Sequence, residues 1–277
     1  VMKKPYMLMN GDCLKKLKRI PDNKIALTLT SPPYDDARQY GGMEKWSINL
    51  SKLGDELYRV TKDGGVCVVV INDMTHNRVK TLTSFKLAVD WCTNRGWKLW
   101  ETLIYSRPGI PSNHWTKRFR TDHEYIFVFL KGDNLRYIYK DHLNVPSVYG
   151  GKRIRSGKRI NSKGERRGNL KKFTQDLTKC RGTVWEVITS NRESGKETPK
   201  FKHPATFGNR FAEDIILCFS KQGDIVLDPM CGSGTTVAMA LKHKRHGVGI
   251  EINPDYAKIA QYYIDINLPL FNQQEVL

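Results

Sequence analysis

The sequence predicts an α/β protein: a doubly wound, mostly parallel sheet interrupted by a basic insertion. Three observations carry this expectation. Short apolar runs alternate with stretches of helical periodicity along most of the 277 residues. The run Val66 to Ile71 is continuous and β-branched, as a strand covered on both faces must be. Near the C-terminus, Ile225 to Leu227 passes through glycines into a helix, the arrangement that opens a ligand crevice at the carboxyl edge of such sheets. Antiparallel additions are expected at an edge of the sheet.

The elements follow in order. Tyr6 to Asn10 is a short strand running into Gly11-Asp12 and a helix from Cys13 to Ile20, with Leu14, Leu17 and Ile20 on one face. By position Asp12 reads first as the N-cap of that helix, and second as a residue facing a ligand crevice at the strand's carboxyl end. Lys24 to Thr30 is a buried strand. Asp35 to Glu44 is polar and glycine-bearing, hence a loop, and Trp46 to Val60 is a helix with Leu50, Leu53, Leu57 and Val60 inward. Gly64-Gly65 turns into the strand Val66 to Ile71. Leu82 to Asn94 is a helix closed by Gly96, and Trp97 to Tyr105 and Tyr125 to Leu130 are strands. Order resumes at Thr183 to Ile188, then helix Arg210 to Phe219, strand Ile225 to Leu227, helix Val237 to Lys242 and strand Gly247 to Ile250. These divisions suggest a first half over residues 1–105, a recognition region over 106–200 that includes a core strand near 121–130, and a second half over 201–277.

The second strand ends in Thr30-Ser31-Pro32-Pro33-Tyr34. Neither proline has an N–H, each fixes its own φ, and each pushes the residue before it out of the helical region. The result is a stiff elbow that presents a hydroxyl, free carbonyls and a flat aromatic. Such a surface suits a planar ring carrying an exocyclic amine: Tyr34 can stack, while Ser31 and the Pro32 carbonyl accept the two N–H bonds.

The strand at 225–227 ends in Asp228-Pro-Met230-Cys231-Gly232-Ser233-Gly234-Thr235-Thr236. Glycines here let backbone approach a ligand closely. Glu251, 19 residues beyond Gly232 at the end of the next strand, is placed to hold a ribose diol. No Gly-Lys-Ser/Thr follows, so the loop is not a Walker A loop, and the third glycine of a dinucleotide site is missing. Asp228, read as an anion facing the site, would repel a pyrophosphate and pair with an ammonium. A cofactor with a ribose, an α-amino group and no phosphate is S-adenosyl-L-methionine.

Net charge is +18 with a pI near 9.6, which predicts a polyanionic partner. Between Lys152 and Arg181 stand twelve basic residues against two acidic, so this stretch holds +10 of the total +18. Lys152, Arg153, Arg155, Lys158, Arg159, Arg166 and Arg167 are its leading candidates for phosphate contact. Rich in Gly, Ser and Asn, it reads as a solvated, partly disordered arm until it meets nucleic acid. Residues 106–121 form a second basic loop with Arg107, Lys117, Arg118 and Arg120. The six cysteines make no Cys-x-x-Cys pair, which argues for reduced thiols and against a metal site. No apolar stretch approaches the ~18 residues of a membrane span.

Taken together, Thr30 to Tyr34 and Asp228 to Thr236 resemble the catalytic and cofactor motifs of DNA amino-methyltransferases. The order of the two, with a recognition segment between, resembles the β class. The likeness spans most of the chain. It implies a Rossmann-like methyltransferase fold and a prokaryotic or phage-encoded, cytoplasmic enzyme acting on double-stranded DNA, with no membrane partner. It is also consistent with a homodimer and with a companion restriction endonuclease. Asn10-Gly-Asp12 matches the position whose Asp contacts the cofactor's adenine. His203-Pro-Ala-Thr206-Phe207 resembles the segment against its methionine end, and Gly249-Ile-Glu251-Ile252-Asn-Pro254 the ribose-binding strand end. Arg120 to Tyr125 resembles the strand entry beside the base pocket. Met230 stands where the family often has Phe. The implied reaction is direct methyl transfer to the amine of a base turned out of the duplex. Ser31 resembles the N4-cytosine members, whereas N6-adenine members usually carry Asp or Asn there. Ring-carbon methylation would need a Pro-Cys motif, which is absent. RNA or protein-glutamine methyltransferases use a similar elbow, usually after the cofactor loop rather than 201 positions before it. A non-catalytic DNA-binding protein is the remaining alternative, opposed by the joint presence of Ser31, Tyr34, Gly232 and Glu251.

Overall fold

The structure is a computed structural model and describes residues 5–33, 48–106, 119, 121–155, 159–160, 166–167, 172–186 and 208–268. Two compact units emerge: Val1–Tyr139 with Thr183–Leu277, and Lys140–Gly182.

The larger unit opens with β1 (Tyr6–Asn10), α1 (Cys13–Leu17) and β2 (Ile25–Thr30). Next come α2 (Leu50–Val60), β3 (Thr61–Ile71), the short strands β4 (Thr75–His76) and β5 (Val79–Lys80), α3 (Thr83–Asn94), β6 (Lys98–Ser106) and β7 (His123–Leu130). In the smaller unit lie β8 (Val145–Pro146), β9 (Arg153–Arg155), β10 (Arg159–Ile160), β11 (Arg166–Arg167), β12 (Lys172–Thr174) and β13 (Thr178–Lys179). The larger unit resumes with β14 (Val184–Glu186), α4 (Asn209–Phe219), β15 (Ile225–Asp228), α5 (Thr235–Lys242), β16 (His246–Glu251) and α6 (Pro254–Ile266).

Eight strands form one sheet in the order β1-β16-β15-β2-β3-β7-β6-β14. All pair in parallel except β7, which runs against both β3 and β6. The expected antiparallel addition is therefore inside the sheet and not at its edge. The crossover through α3 carries β6 past one vacant position, and β7 returns antiparallel into that gap. The outermost strand on that side, β14, is parallel to β6.

The doubly wound expectation holds, and several boundaries move. α1 stops at Leu17, although Ile20 beyond it stays buried. α2 begins at Leu50, with Asn49 as its cap accepting from the Lys52 amide at 2.9 Å. β3 begins at Thr61 and runs through Gly64-Gly65, which form an irregularity in the strand and not a turn before it; the β2–β3 register shifts there. Gly64 has φ +72, and a Cβ would meet the Asn134 carbonyl at 2.6 Å. α6 was not anticipated, though Asn253 before Pro254 is an N-cap followed by a first-turn proline. Within the Lys152–Arg181 stretch, expected to be solvated and partly disordered, the described residues form antiparallel pairs, β9 with β12 and β10 with β11, and β13 pairs with β8 just before it.

The core lies between the sheet and its helices. Trp91 and Trp97 stack with centroids 5.9 Å apart, and Phe129 packs 4.9 Å from Trp91. Their indole N–H groups donate to the Leu50 and Gly54 carbonyls, so neither buried ring leaves a polar atom stranded.

Candidate active site

The tips of β2 and β15 are neighbours, since Val226 pairs with Leu27 and Leu227 with Thr28. Two motifs about 200 residues apart in sequence thus leave the sheet side by side, one strand spacing of ~4.8 Å apart. Ser31 and Pro33 are half-buried and Pro32 is buried. Tyr34 lies outside the described residues, as do Thr206, Phe207, Arg107, Lys117, Arg118, Arg120 and Lys158.

The glycine loop is organised by two acids. Asp228 Oδ2 accepts from the Thr236 hydroxyl at 2.8 Å and Oδ1 from the Met230 amide at 3.1 Å. Glu251 Oε2 accepts from the Gly232 amide at 2.9 Å and Oε1 from the Asn253 amide at 2.8 Å. Cys231 N–H donates to the Ile250 carbonyl and Gly234 N–H to the Cys231 carbonyl. Gly232 and Gly234 have φ +51 and +85, conformations that other residues adopt only at a cost. Gly234 also lies so close to α6 that a Cβ would meet that of Ala260 at 3.1 Å. Ser233 and Thr235 hydroxyls stand 3.5 Å apart at the start of α5, whose N-cap makes no side-chain hydrogen bond and leaves the first-turn amides open.

Asp228 departs from its expected posture. The carboxyl is 3% exposed, turned into the loop and not out toward a ligand. Burial pushes its pKa up to about 7; the Thr236 hydroxyl, the Met230 amide and the Thr30 hydroxyl oppose the shift, and the Glu251 charge adds to it. Thr30, buried at the tip of β2, exerts this pull without meeting strict hydrogen-bond geometry. Burial raises Glu251 as well, against the amides of Asn253, Gly232 and Ile252. Two carboxyl groups held in one low-dielectric pocket favour a cationic or hydroxyl-bearing guest.

At the next strand tip, Asn10 pairs with Glu251 in register and donates its Nδ2 to the Glu251 carbonyl at 2.8 Å. Asp12 caps α1, accepting from the Lys15 amide at 3.2 Å, and stays half-buried at the same edge. Met230 is partly buried against the core. The set suits a nucleoside with an amino-acid tail: Glu251 for hydroxyl groups, glycines for close approach, and apolar cover from Met230 and Ile252. Thr236, Asn10 and Asn253 build the site and were not singled out from sequence. Their roles depend on which strand tips become neighbours.

All six cysteines are free. Burial pushes the Cys13 thiol up to about 12 and Cys231 well above its usual range, so neither supplies a thiolate. Among the described residues no group of His, Cys, Asp and Glu could hold a metal ion, and no helix is long and apolar enough to cross a membrane. In the smaller unit, Lys152 and Arg153 are exposed. Arg155 stands opposite Lys172 in the β-register, and Arg159 opposite Arg167.

The sequence profile of the DNA methylase family, covering N6 and N4 methyltransferases, matches residues 25–262. This chain belongs to that family. Similar proteins include the orphan methyltransferase M.BamHII of Bacillus amyloliquefaciens, 38% identical over 249 residues that cover 88% of this chain and 89% of the relative. Another is the DNA adenine methyltransferase YhdJ of Escherichia coli K12, 27% identical with 94% and 82% covered. Among solved structures, the cytosine-N4-specific PvuII DNA methyltransferase matches with a TM-score of 0.67 at 17% identity, covering 98% of this chain and 92% of that one. A DNA modification methylase of Thermus thermophilus, complexed with S-adenosyl-L-methionine, matches with a TM-score of 0.62 at 21% identity and 96% of both chains covered. At these identities the structural matches establish the fold of this DNA methylase.

Proposed function

We propose that this DNA methylase transfers a methyl group from S-adenosyl-L-methionine to the exocyclic N4 amine of a cytosine turned out of duplex DNA. The observation that carries the reading is the meeting of the Ser31-Pro32-Pro33 elbow with the Asp228–Thr236 loop at adjacent strand tips. When bound, the cofactor supplies a methyl group activated by a sulfonium. Glu251 holds the ribose hydroxyls and Asp12 the adenine, while buried Asp228 braces the loop that brings Ser233, Gly234 and Thr235 to the ammonium end. Cys231, Gly232, Ile252, Thr206 and Phe207 complete the lining.

The amine of cytosine is a poor nucleophile because its lone pair is delocalised into the ring. Ser31 Oγ and the Pro32 carbonyl accept its two N–H bonds, which draws nitrogen toward tetrahedral geometry and aims the lone pair. Tyr34 stacks on the ring. The new N–C bond would form as the methyl–sulfur bond breaks to leave a neutral thioether, the amine's surplus proton would pass to water, and the chain's contribution is mainly positioning. Lys152, Arg153, Arg155, Arg159, Arg166 and Arg167, together with Arg107, Lys117, Arg118, Arg120 and Lys158, hold phosphates. The excess of twelve basic over two acidic residues between Lys152 and Arg181 supports this.

N6-adenine is the second reading, favoured by the likeness to YhdJ. Incubation with labelled S-adenosyl-L-methionine and mixed-sequence duplex, then nucleoside digestion and mass spectrometry, separates the two. N4-methylcytosine supports the Ser31 assignment. N6-methyladenine keeps the mechanism and removes Ser31 as the selector. No transfer to DNA despite cofactor binding would overturn the reading.

A further inference from the structure

In the smaller unit, β8 leads through a short connection into β9, and their partners β12 and β13 follow each other on the returning chain. Pro146 pairs with Thr178 and Arg153 with Thr174. Six residues, 147–152, therefore stand opposite three, 175–177, in one two-stranded ribbon. The longer strand bulges outward to take up the excess. Two linked turns shape the bulge: the Gly150 amide donates to the Ser147 carbonyl at 2.9 Å, and the Lys152 amide to the Tyr149 carbonyl at 3.0 Å. Cross-strand bonds clamp it on both sides. Ser147 N–H donates to the Leu177 carbonyl at 2.8 Å, Gly151 N–H to the Gln175 carbonyl at 2.9 Å, and Gln175 N–H to the Lys152 carbonyl at 3.0 Å. Gly151 has φ +72, and a Cβ on Gly150 would meet the Leu177 Cα at 3.0 Å, so the bulge sits tight against the shorter strand.

The groups that this frame holds outward are unusual for a turn. Its corner residues are Val148 and Tyr149, where Gly, Pro and small polar residues are the rule. They are 73% and 58% exposed, and Leu177 across the ribbon is 74% exposed. Asp176, next to Leu177, is exposed as well. The flanks are basic: residues 145–155 and 172–179 carry Lys152, Arg153, Arg155, Lys172 and Lys179, against Asp176 as the one acid. A surface that only gripped phosphates would gain nothing from apolar side chains at its tip and would be weakened by a carboxylate there. Base edges in a major groove accept both, since a thymine methyl takes an apolar contact and a cytosine amine donates to a carboxylate. A two-stranded ribbon also fits that groove, which is about 12 Å wide.

We infer that this ribbon is a base-reading element: it enters the major groove of duplex DNA with Val148, Tyr149, Asp176 and Leu177 against base edges, while Lys152, Arg153 and Lys179 hold the flanking phosphates. The inference rests on the function proposed above and assigns to these residues part of its sequence specificity.

The test starts from the sites that the wild type methylates in mixed-sequence duplex, mapped by sequencing. Tyr149→Ala and Asp176→Ala are then compared with the wild type on three kinds of duplex: the mapped site, that site with one base pair changed, and no site. Both variants should melt as the wild type does and bind S-adenosyl-L-methionine unchanged, because both side chains are exposed. Preference for the mapped site should fall by about 5- to 150-fold at one or more base pairs. Affinity for siteless duplex should be no lower than in the wild type, with the same slope of log affinity against log salt. Lys152→Ala is the contrast: it should weaken binding to all three duplexes alike and flatten that slope by about 0.9. Wild-type site preference in both variants overturns the inference and leaves the proposed function standing. An equal loss on all three duplexes also overturns it, by making the tip a phosphate contact, and so does a lower melting temperature in both variants, by making it a structural element. Failure of the wild type itself to bind or methylate DNA overturns the proposed function and this inference with it.

Discussion

Asp228→Asn isolates the electrostatic character of the cofactor loop. Asparagine keeps both contacts of the native side chain: its oxygen accepts from the Met230 amide and its NH₂ donates to the Thr236 hydroxyl. Only the charge is lost. Burial raises the Asp228 pKa from 3.8 to about 7, so the folded state holds its proton to higher pH than the unfolded chain does. Stability from that proton is fully present below pH 3.8 and is lost progressively as pH rises to about 7. At about 1.36 kcal/mol per pKa unit, ionising the folded protein costs on the order of 4 kcal/mol. Asparagine avoids this cost. Relative to wild type, Asp228→Asn should therefore be more stable by a few kcal/mol at pH 8, and by roughly 1–2 kcal/mol at pH 5. Urea denaturation at both values measures the two gaps, and calorimetry should show weaker S-adenosyl-L-methionine binding in the variant. A variant less stable than wild type at pH 8, or a gap that does not grow from pH 5 to 8, would refute the reasoning.

Three other outcomes are expected. Tyr34→Ala should abolish methyl transfer and retain DNA binding in gel-shift assays; full activity would remove the stacking role. Gly234→Ala forces a side chain into positive φ and against Ala260, and should cost about 1–3 kcal/mol in denaturation while weakening cofactor binding. Glu213 is lowered from 4.5 to about 2, chiefly by His243, whose Nε2 stands 3.4 Å from its carboxyl, with Lys242 adding and burial opposing. Glu213→Gln should accordingly be less stable than wild type above pH 4.5, and the deficit should close as pH falls toward 2, which acid titration followed by circular dichroism would show.

Local chemistry made much of this protein legible in sequence. The β-branched run Val66 to Ile71 could only be a buried strand. The Ser31-Pro-Pro elbow and the glycine loop announce themselves because proline and glycine restrict or free the backbone at their own positions, whatever lies around them. Glu251 was readable from its spacing to Gly232. Neighbour relations were not readable. The reversal of β7 inside the sheet depends on which gap remains after α3 crosses, and no residue of β7 states it. The burial of Asp228 depends on Thr236, Met230 and Thr30 closing around it, so its charge could be read from sequence while its acidity could not. The hairpin at Asn77-Arg78 has no glycine to mark it, and the positive φ of Arg78 appears only in three dimensions. Sequence by itself determined which backbone conformations and chemical groups were available. Tertiary structure alone decided which of them share a pocket, because burial and charge coupling depend on distances that strand order sets.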